Sequence, residues 1–93
     1  MNIMELMKQI QRIKANLEDM KEDIKSREFV GEAGGGMVRV IINGSLEVVS
    51  VEIDDSIIKD KETLEILVKS AINDALEKFR ESSESIFKSL FSL

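Results

Sequence analysis

Three groups of residues in this 93-residue chain have types and spacings that could do chemistry. They are the run Gly34-Gly35-Gly36, the carboxylates Glu52, Asp54, Asp55 and Asp60, and the bases Lys8, Arg12 and Lys14. A glycine run can cradle phosphate when a strand precedes it and Lys-Ser or Lys-Thr opens a helix after it. Here Met37-Val38-Arg39 and a second apolar run follow, so the glycines read as a hairpin loop. A calcium loop counted from Asp54 fails, because Ser56, Ile58 and Lys59 occupy the third, fifth and sixth positions. Paired carboxylates could serve acid–base catalysis, but adjacent aspartates after a strand more often form turns and caps. The chain has no Cys and no His, which removes thiol and imidazole catalysis, disulfides and zinc sites of the Cys/His type. The expectation is therefore no catalytic residue, no metal, no cofactor and no small-molecule substrate.

The bases are more informative. Between Leu6 and Leu17 the only charges are Lys8, Arg12 and Lys14. Lys8 and Arg12 are four residues apart and share one side of a helix. Past Leu17, Lys21 and Lys25 are interleaved with Glu18, Asp19, Glu22 and Asp23, as on an ordinary solvated face. The acid-free stretch with Lys8, Arg12 and Lys14 could meet a polyanion, and a solvated helix face is at least as good a reading of it. The overall balance of 13 basic against 18 acidic residues, a net charge of −5, opposes such a partner in bulk.

The element that must carry these bases has a clear pattern. Ile3, Leu6, Ile10, Ile13, Leu17, Met20 and Ile24 are spaced alternately three and four apart, a coiled-coil seam. A helix over residues 3–27 would be roughly 35–40 Å long, beyond the cover of strands spanning ~20 Å. Part of the seam Ile10, Ile13, Leu17, Met20, Ile24 is therefore expected to meet another helix, from the same chain or from a second copy. Three strands follow: Glu28–Ala33, then Met37–Ile42 after the glycines, then Ser45–Ile53 after Asn43-Gly44, a strong hairpin signal. The alternation predicts Val38, Val40 and Ile42 on one face, with Met37 and Ile41 on the other. On the third strand Val49, Val51 and Ile53 are predicted to oppose Leu46 and Val48. A sheet apolar on both faces would need cover on both. Ile57-Ile58 suggests a helical turn, and Asp60 can cap a last helix whose stripe runs Leu64, Leu67, Val68, Ala71, Ile72, Ala75, Leu76, Phe79. Ser82-Ser83-Glu84-Ser85 is predicted to weaken that helix before Ile86, Phe87, Leu90 and Phe91 resume the stripe. The fold class is α+β: a long N-terminal helix, a three-stranded antiparallel meander and a C-terminal helix, broken or not near 82–85, in a single domain over 1–93.

Hydrophobic residues at 43% and charged residues at 33% describe a folded chain. A core this small is marginal alone, so a homodimer through sheet and helices is expected. No apolar run approaches a membrane span, and Met1-Asn2-Ile3-Met4-Glu5 lacks a secretory signal, which points to the cytoplasm.

The order of elements and several strings resemble the YbaB/EbfC family of bacterial nucleoid-associated DNA-binding proteins. The likeness begins at Leu6-Met7-Lys8-Gln9 and becomes specific at Gly31-Glu32-Ala33-Gly34-Gly35-Gly36-Met37-Val38-Arg39-Val40. It continues through Asn43-Gly44, Val51-Glu52-Ile53-Asp54, Leu64-Glu65, Leu67-Val68 and Ala71-Ile72-Asn73-Asp74-Ala75. Three departures stand out: no Gly-rich leader, Asp55 where the family usually has Pro, and an end at Leu93 without a longer tail. The resemblance implies a homodimer that binds double-stranded DNA in the nucleoid, without enzymatic activity, through helical basic residues. It supplies no base-reading residue, so the role of Lys8, Arg12, Lys14, Lys21 and Lys25 would be contact with phosphates. The competing reading is a structural or protein-interaction dimer without significant DNA binding. Gly34, Gly35, Gly36, Asn43 and Gly44 are expected to be structural turn residues.

Overall fold

The computed structural model describes residues 2–91; the side chain of Phe91 lies outside the described part. The order is α1 (Ile3–Ser26), β1 (Glu28–Ala33), β2 (Val38–Asn43), β3 (Val48–Ile53), a short 3-10 turn (Asp55–Ile57) and α2 (Lys61–Phe91). The strands form one antiparallel sheet in the order β1-β2-β3. The architecture is α+β, as the sequence predicts.

Each boundary has a local cause. Asn2 caps α1: its Oδ1 accepts the Glu5 N–H at 2.9 Å. At the other end Arg27 turns extended and its guanidinium holds Asp23 at 2.6 Å, one turn back. Asp60 opens α2, accepting the Thr63 N–H at 3.2 Å and the Thr63 hydroxyl at 2.7 Å. The helix then runs unbroken through Ser82–Ser85, so the predicted weakening does not become a break. Serine costs a helix interior only tenths of a kcal/mol, and no Gly or Pro occurs within the helix. Ser89 Oγ donates back to the Ser85 carbonyl at 3.0 Å.

The core lies between α2 and two strands. Val38, Val40 and Ile42 of β2 are buried with Phe29, Ile57, Ala71 and Ala75. Phe29 and Phe79 meet edge to face with centroids 5.5 Å apart. α2 passes so near β1 that a Cβ on Gly31 would strike the Ala71 carbonyl and Ala75. The β1–β2 connection uses left-handed backbone at Gly34, Gly35 and Gly36, with φ of 64°, 66° and 91°.

Two expectations about the second hairpin need correction. The loop after Asn43 is not a two-residue turn with left-handed Asn and Gly. Leu46 is the residue with positive φ, 61°, and the Asn43 N–H donates to the Glu47 carbonyl at 3.0 Å. Asn43 Oδ1 accepts from the N–H groups of Ser45 and Glu47, a side-chain clamp that makes the longer loop stable. Gly44 serves close approach instead, since a Cβ there would collide with the Ile24 carbonyl at the end of α1.

The second correction follows from a bulge. Ile41 pairs with Ser50 but Ile42 pairs with Val48, leaving Val49 as the extra residue. The slip puts Val48, Val51 and Ile53 together on the α2 side. The opposite face is largely polar, with Arg39 between Glu32 and Glu52 at 3.6 and 3.9 Å. The sheet is thus not apolar on two faces. What lacks cover is one strip on the α2 side: Val48, Val51 and Ile53 remain 55%, 49% and 38% exposed, because α2 lies over β1 and β2.

Candidate nucleic-acid interface on the projecting helix

α1 buries none of its residues. A compact chain of this length has a radius of gyration of about 12 Å; this one has 19.3 Å, with extents of 69 × 22 × 14 Å. The helix is an arm. Gly44 fixes its base: the Gly44 N–H donates to the Arg27 carbonyl at 3.1 Å, and the missing Cβ lets Ile24 come against the loop.

The seam is divided along this arm. Met20 and Ile24 are half-buried and, with Leu17, wall an apolar groove of about 290 Å³ whose other side is Ile86 and Leu90 of α2. Farther out, no described residue covers the stripe. Ile10, Ile13 and Leu17 are 56%, 60% and 48% exposed. Among the described residues the seam faces its own chain only at the inner third, across this groove from the end of α2.

The bases occupy the rest of the wheel. With Ile10 and Leu17 at a and Ile13 at d, Lys8 and Arg12 fall at f and c, away from the seam, while Lys14 and Lys21 fall at e, beside it. All four are exposed, and no ion pair among the described residues involves them. Lys25 is different: Glu22 lies 4.0 Å from its Nζ. On α2 three bases are engaged, Lys61 by Glu65, Lys78 by Asp74 and Arg80 by Glu77, while Lys69 and Lys88 have no ion-pair partner among the described residues. The structure thus brings Lys8 and Arg12 onto one unobstructed surface and sets Lys25 apart.

Two of the carboxylates, Asp54 and Asp60, are caps, while Glu52 faces Arg39 on the sheet. Hydrogen bonds from Ser56 and Thr63 hold Asp54 and Asp60 below the ordinary carboxylate range. Asp74 is lowered as well, first by the Glu32 N–H and then by Lys78. No cluster of His, Cys, Asp or Glu suited to a metal occurs among the described residues. The involvement of Asp74 and Lys78 with strand β1 is invisible in the sequence beyond their i, i+4 spacing.

The sequence matches the YbaB/EbfC DNA-binding family over residues 1–92. The chain belongs to that family. Among its relatives, a protein of Nitratiruptor named "Nucleoid-associated protein" is 38% identical over 84 residues, which cover 90% of this chain and 82% of that one. A protein of the same name from Xylella fastidiosa is 43% identical over 83 residues, 89% of this chain and 78% of its own. Among solved structures, the uncharacterized protein HP0035 from Helicobacter pylori superposes with a TM-score of 0.81 at 30% identity, covering 99% of each chain. The YbaB/EbfC assignment spans arm, sheet and α2 together, so the projecting helix belongs to the shared architecture. Among the described residues, no helix is long and apolar enough to cross a membrane.

Proposed function

We propose that this chain is a nucleoid-associated DNA-binding protein that acts as a homodimer in the bacterial cytoplasm and grips the phosphate backbone with α1, reading few or no bases. One observation carries the reading. Lys8 and Arg12 stand exposed, with no ion-pair partner among the described residues, on the outer side of an arm whose apolar side is the seam. A second copy can then cover Ile10, Ile13 and Leu17 without hiding the bases. Family membership and the relatives' names support DNA as the partner. Phosphate contacts position a protein but carry no sequence information themselves.

The bulk charge does not defeat this. Lys8 lies about 28 Å along the helix from Arg27, where the sheet begins, and the Debye length at physiological salt is only about 8 Å. The arm acts through its local charge. The net charge of −5 and the long exposed seam favour a second reading, a dimer that holds a protein partner. Reversing Lys8 and Arg12 to Glu separates the two. Loss of duplex binding with the dimer intact supports phosphate contact by α1. Unchanged binding moves the contact to Lys69 and Lys88 on α2. Absence of duplex binding by the wild type favours the protein-partner reading.

A further inference from the structure

The groove where α1 leaves the body combines an apolar wall with one sign of charge. Met20 and Ile24 stand half-buried on the α1 side, and Ile86 and Leu90 face them from α2. The contact of Ile24 with Gly44 fixes where the arm departs, and the side chains do not fill the space between the helices. The charged residues that line this space are Lys21 and Lys25, and no acid joins them among the described residues. That is notable in a chain with 18 acidic residues against 13 basic ones. The two lysines are four apart and share one side of α1. Lys21 has no ion-pair partner among the described residues, and Glu22 reaches Lys25 only at 4.0 Å with its own side chain 77% exposed. Exposed pairs of that kind contribute little, so both ammonium groups are open to another anion.

We propose that this groove binds a single-chain aliphatic carboxylate, its tail between Met20, Ile24 and Ile86, Leu90 and its head at Lys21 and Lys25. Size and charge select this class. The volume of about 290 Å³ is at the lower end of small-molecule sites, which begin near 300 Å³. It has room for one flexible hydrocarbon chain and not for a lipid with two. Lysine stems lie along apolar surface and leave the ammonium in water. A head group at the rim therefore stays hydrated while it meets two cations, and the tail alone is taken out of water. An aliphatic cation would bring like charge to the same place, and an alcohol would leave both ammonium groups without an ion. The site is separate from the phosphate contacts proposed for Lys8 and Arg12, which lie farther out on α1.

Methionine supplies the reporter. Met20 is the methionine that lines the groove among the described residues, while Met4, Met7 and Met37 lie elsewhere. Methyl NMR of the full chain is followed as decanoate is added below its micelle concentration, with the Met20 signal assigned by its loss in Met20→Leu. The Met20 methyl should shift saturably and the other three should not. Each methylene removed from the probe should weaken binding by up to about fourfold. Decanol should bind more weakly than decanoate, and decyltrimethylammonium more weakly still. A Lys21→Gln, Lys25→Gln variant should bring decanoate down to the affinity of decanol and leave decanol unchanged. Leu90→Glu should abolish binding of decanoate. The head-group and chain-length series on wild type requires no variant to fold. A Met20 signal that does not saturate, or equal shifts at Met4, Met7 and Met37, would overturn the site. Decanol or decyltrimethylammonium binding as tightly as decanoate, or a lysine variant that binds decanoate like wild type, would overturn the carboxylate assignment. Titration of duplex DNA tests the α1 phosphate contacts independently of either result.

Discussion

Single residues set this architecture where backbone comes closest to backbone. Gly31 and Gly44 matter for space, not for φ, since an added Cβ meets the Ala71 carbonyl at one and the Ile24 carbonyl at the other. Gly31→Val should lose about 2 kcal/mol or more, the cost of overpacking against atoms that cannot move aside, measurable by urea unfolding. Gly35 and Gly36 are the reverse case: nothing lies near a Cβ there, but both have positive φ. Replacing each with Ala should cost roughly 1 kcal/mol through conformation alone. The carboxylates give a pH signature. Asp54, Asp60 and Asp74 are lowered by hydrogen bonds formed only in the folded chain. Their stabilisation is full at neutral pH and is lost as pH falls below the ordinary value of 3.8 toward their folded values. Thermal melts should therefore fall more steeply below pH 4 in wild type than in an Asp60→Asn, Asp74→Asn variant. Parallel profiles would mean those hydrogen bonds do not favour the folded state.

At the scale of elements, the arm and the third strand each leave apolar surface that the described residues do not cover. Leu17 is the test residue, half exposed at the mouth of the groove between α1 and α2. In an isolated chain, Leu17→Asp would place a charge in water at little cost. In a dimer covering the seam it would bury an unpaired charge and cost several kcal/mol. Denaturation at two protein concentrations distinguishes them: a loss below about 0.5 kcal/mol means the seam stays exposed. Much of this was legible in the sequence. The spacing of Ile3 through Ile24 marked α1, Glu28–Ala33 marked β1, and Asp60 marked the start of α2. The bulge at Val49 and the left-handed Leu46 were not, because both arise from how Asn43 clamps Ser45 and Glu47 after the loop closes. One extra residue moved Val48 to the other face and turned an expected second apolar face into a strip. Likewise the stripe on α1 announced burial, but periodicity cannot say whether the cover comes from the same chain.

For the whole molecule, charge is separated along the long axis. The sheet is acidic from Glu47 to Asp55, and the arm that projects past the end of α2 is free of acid from Leu6 to Leu17. The bases at Lys8 and Arg12 were legible because no carboxylate interrupts them. Their separation from the seam follows from the heptad, and their projection beyond the body required the structure. In the proposed complex these bases contact phosphates. Counterion release provides the measurement: titrate wild type and the Lys8→Glu, Arg12→Glu variant against a fixed duplex from low to physiological salt. Up to about six phosphate contacts per dimer, from Lys8, Arg12 and Lys14 of each copy, give log K a slope near −5 against log salt. The double reversal should weaken binding to unrelated sequences alike and flatten the slope, with the dimer mass unchanged. No detectable binding of wild type at about 50 mM salt, or a slope and affinity unchanged by the reversal, would contradict the account.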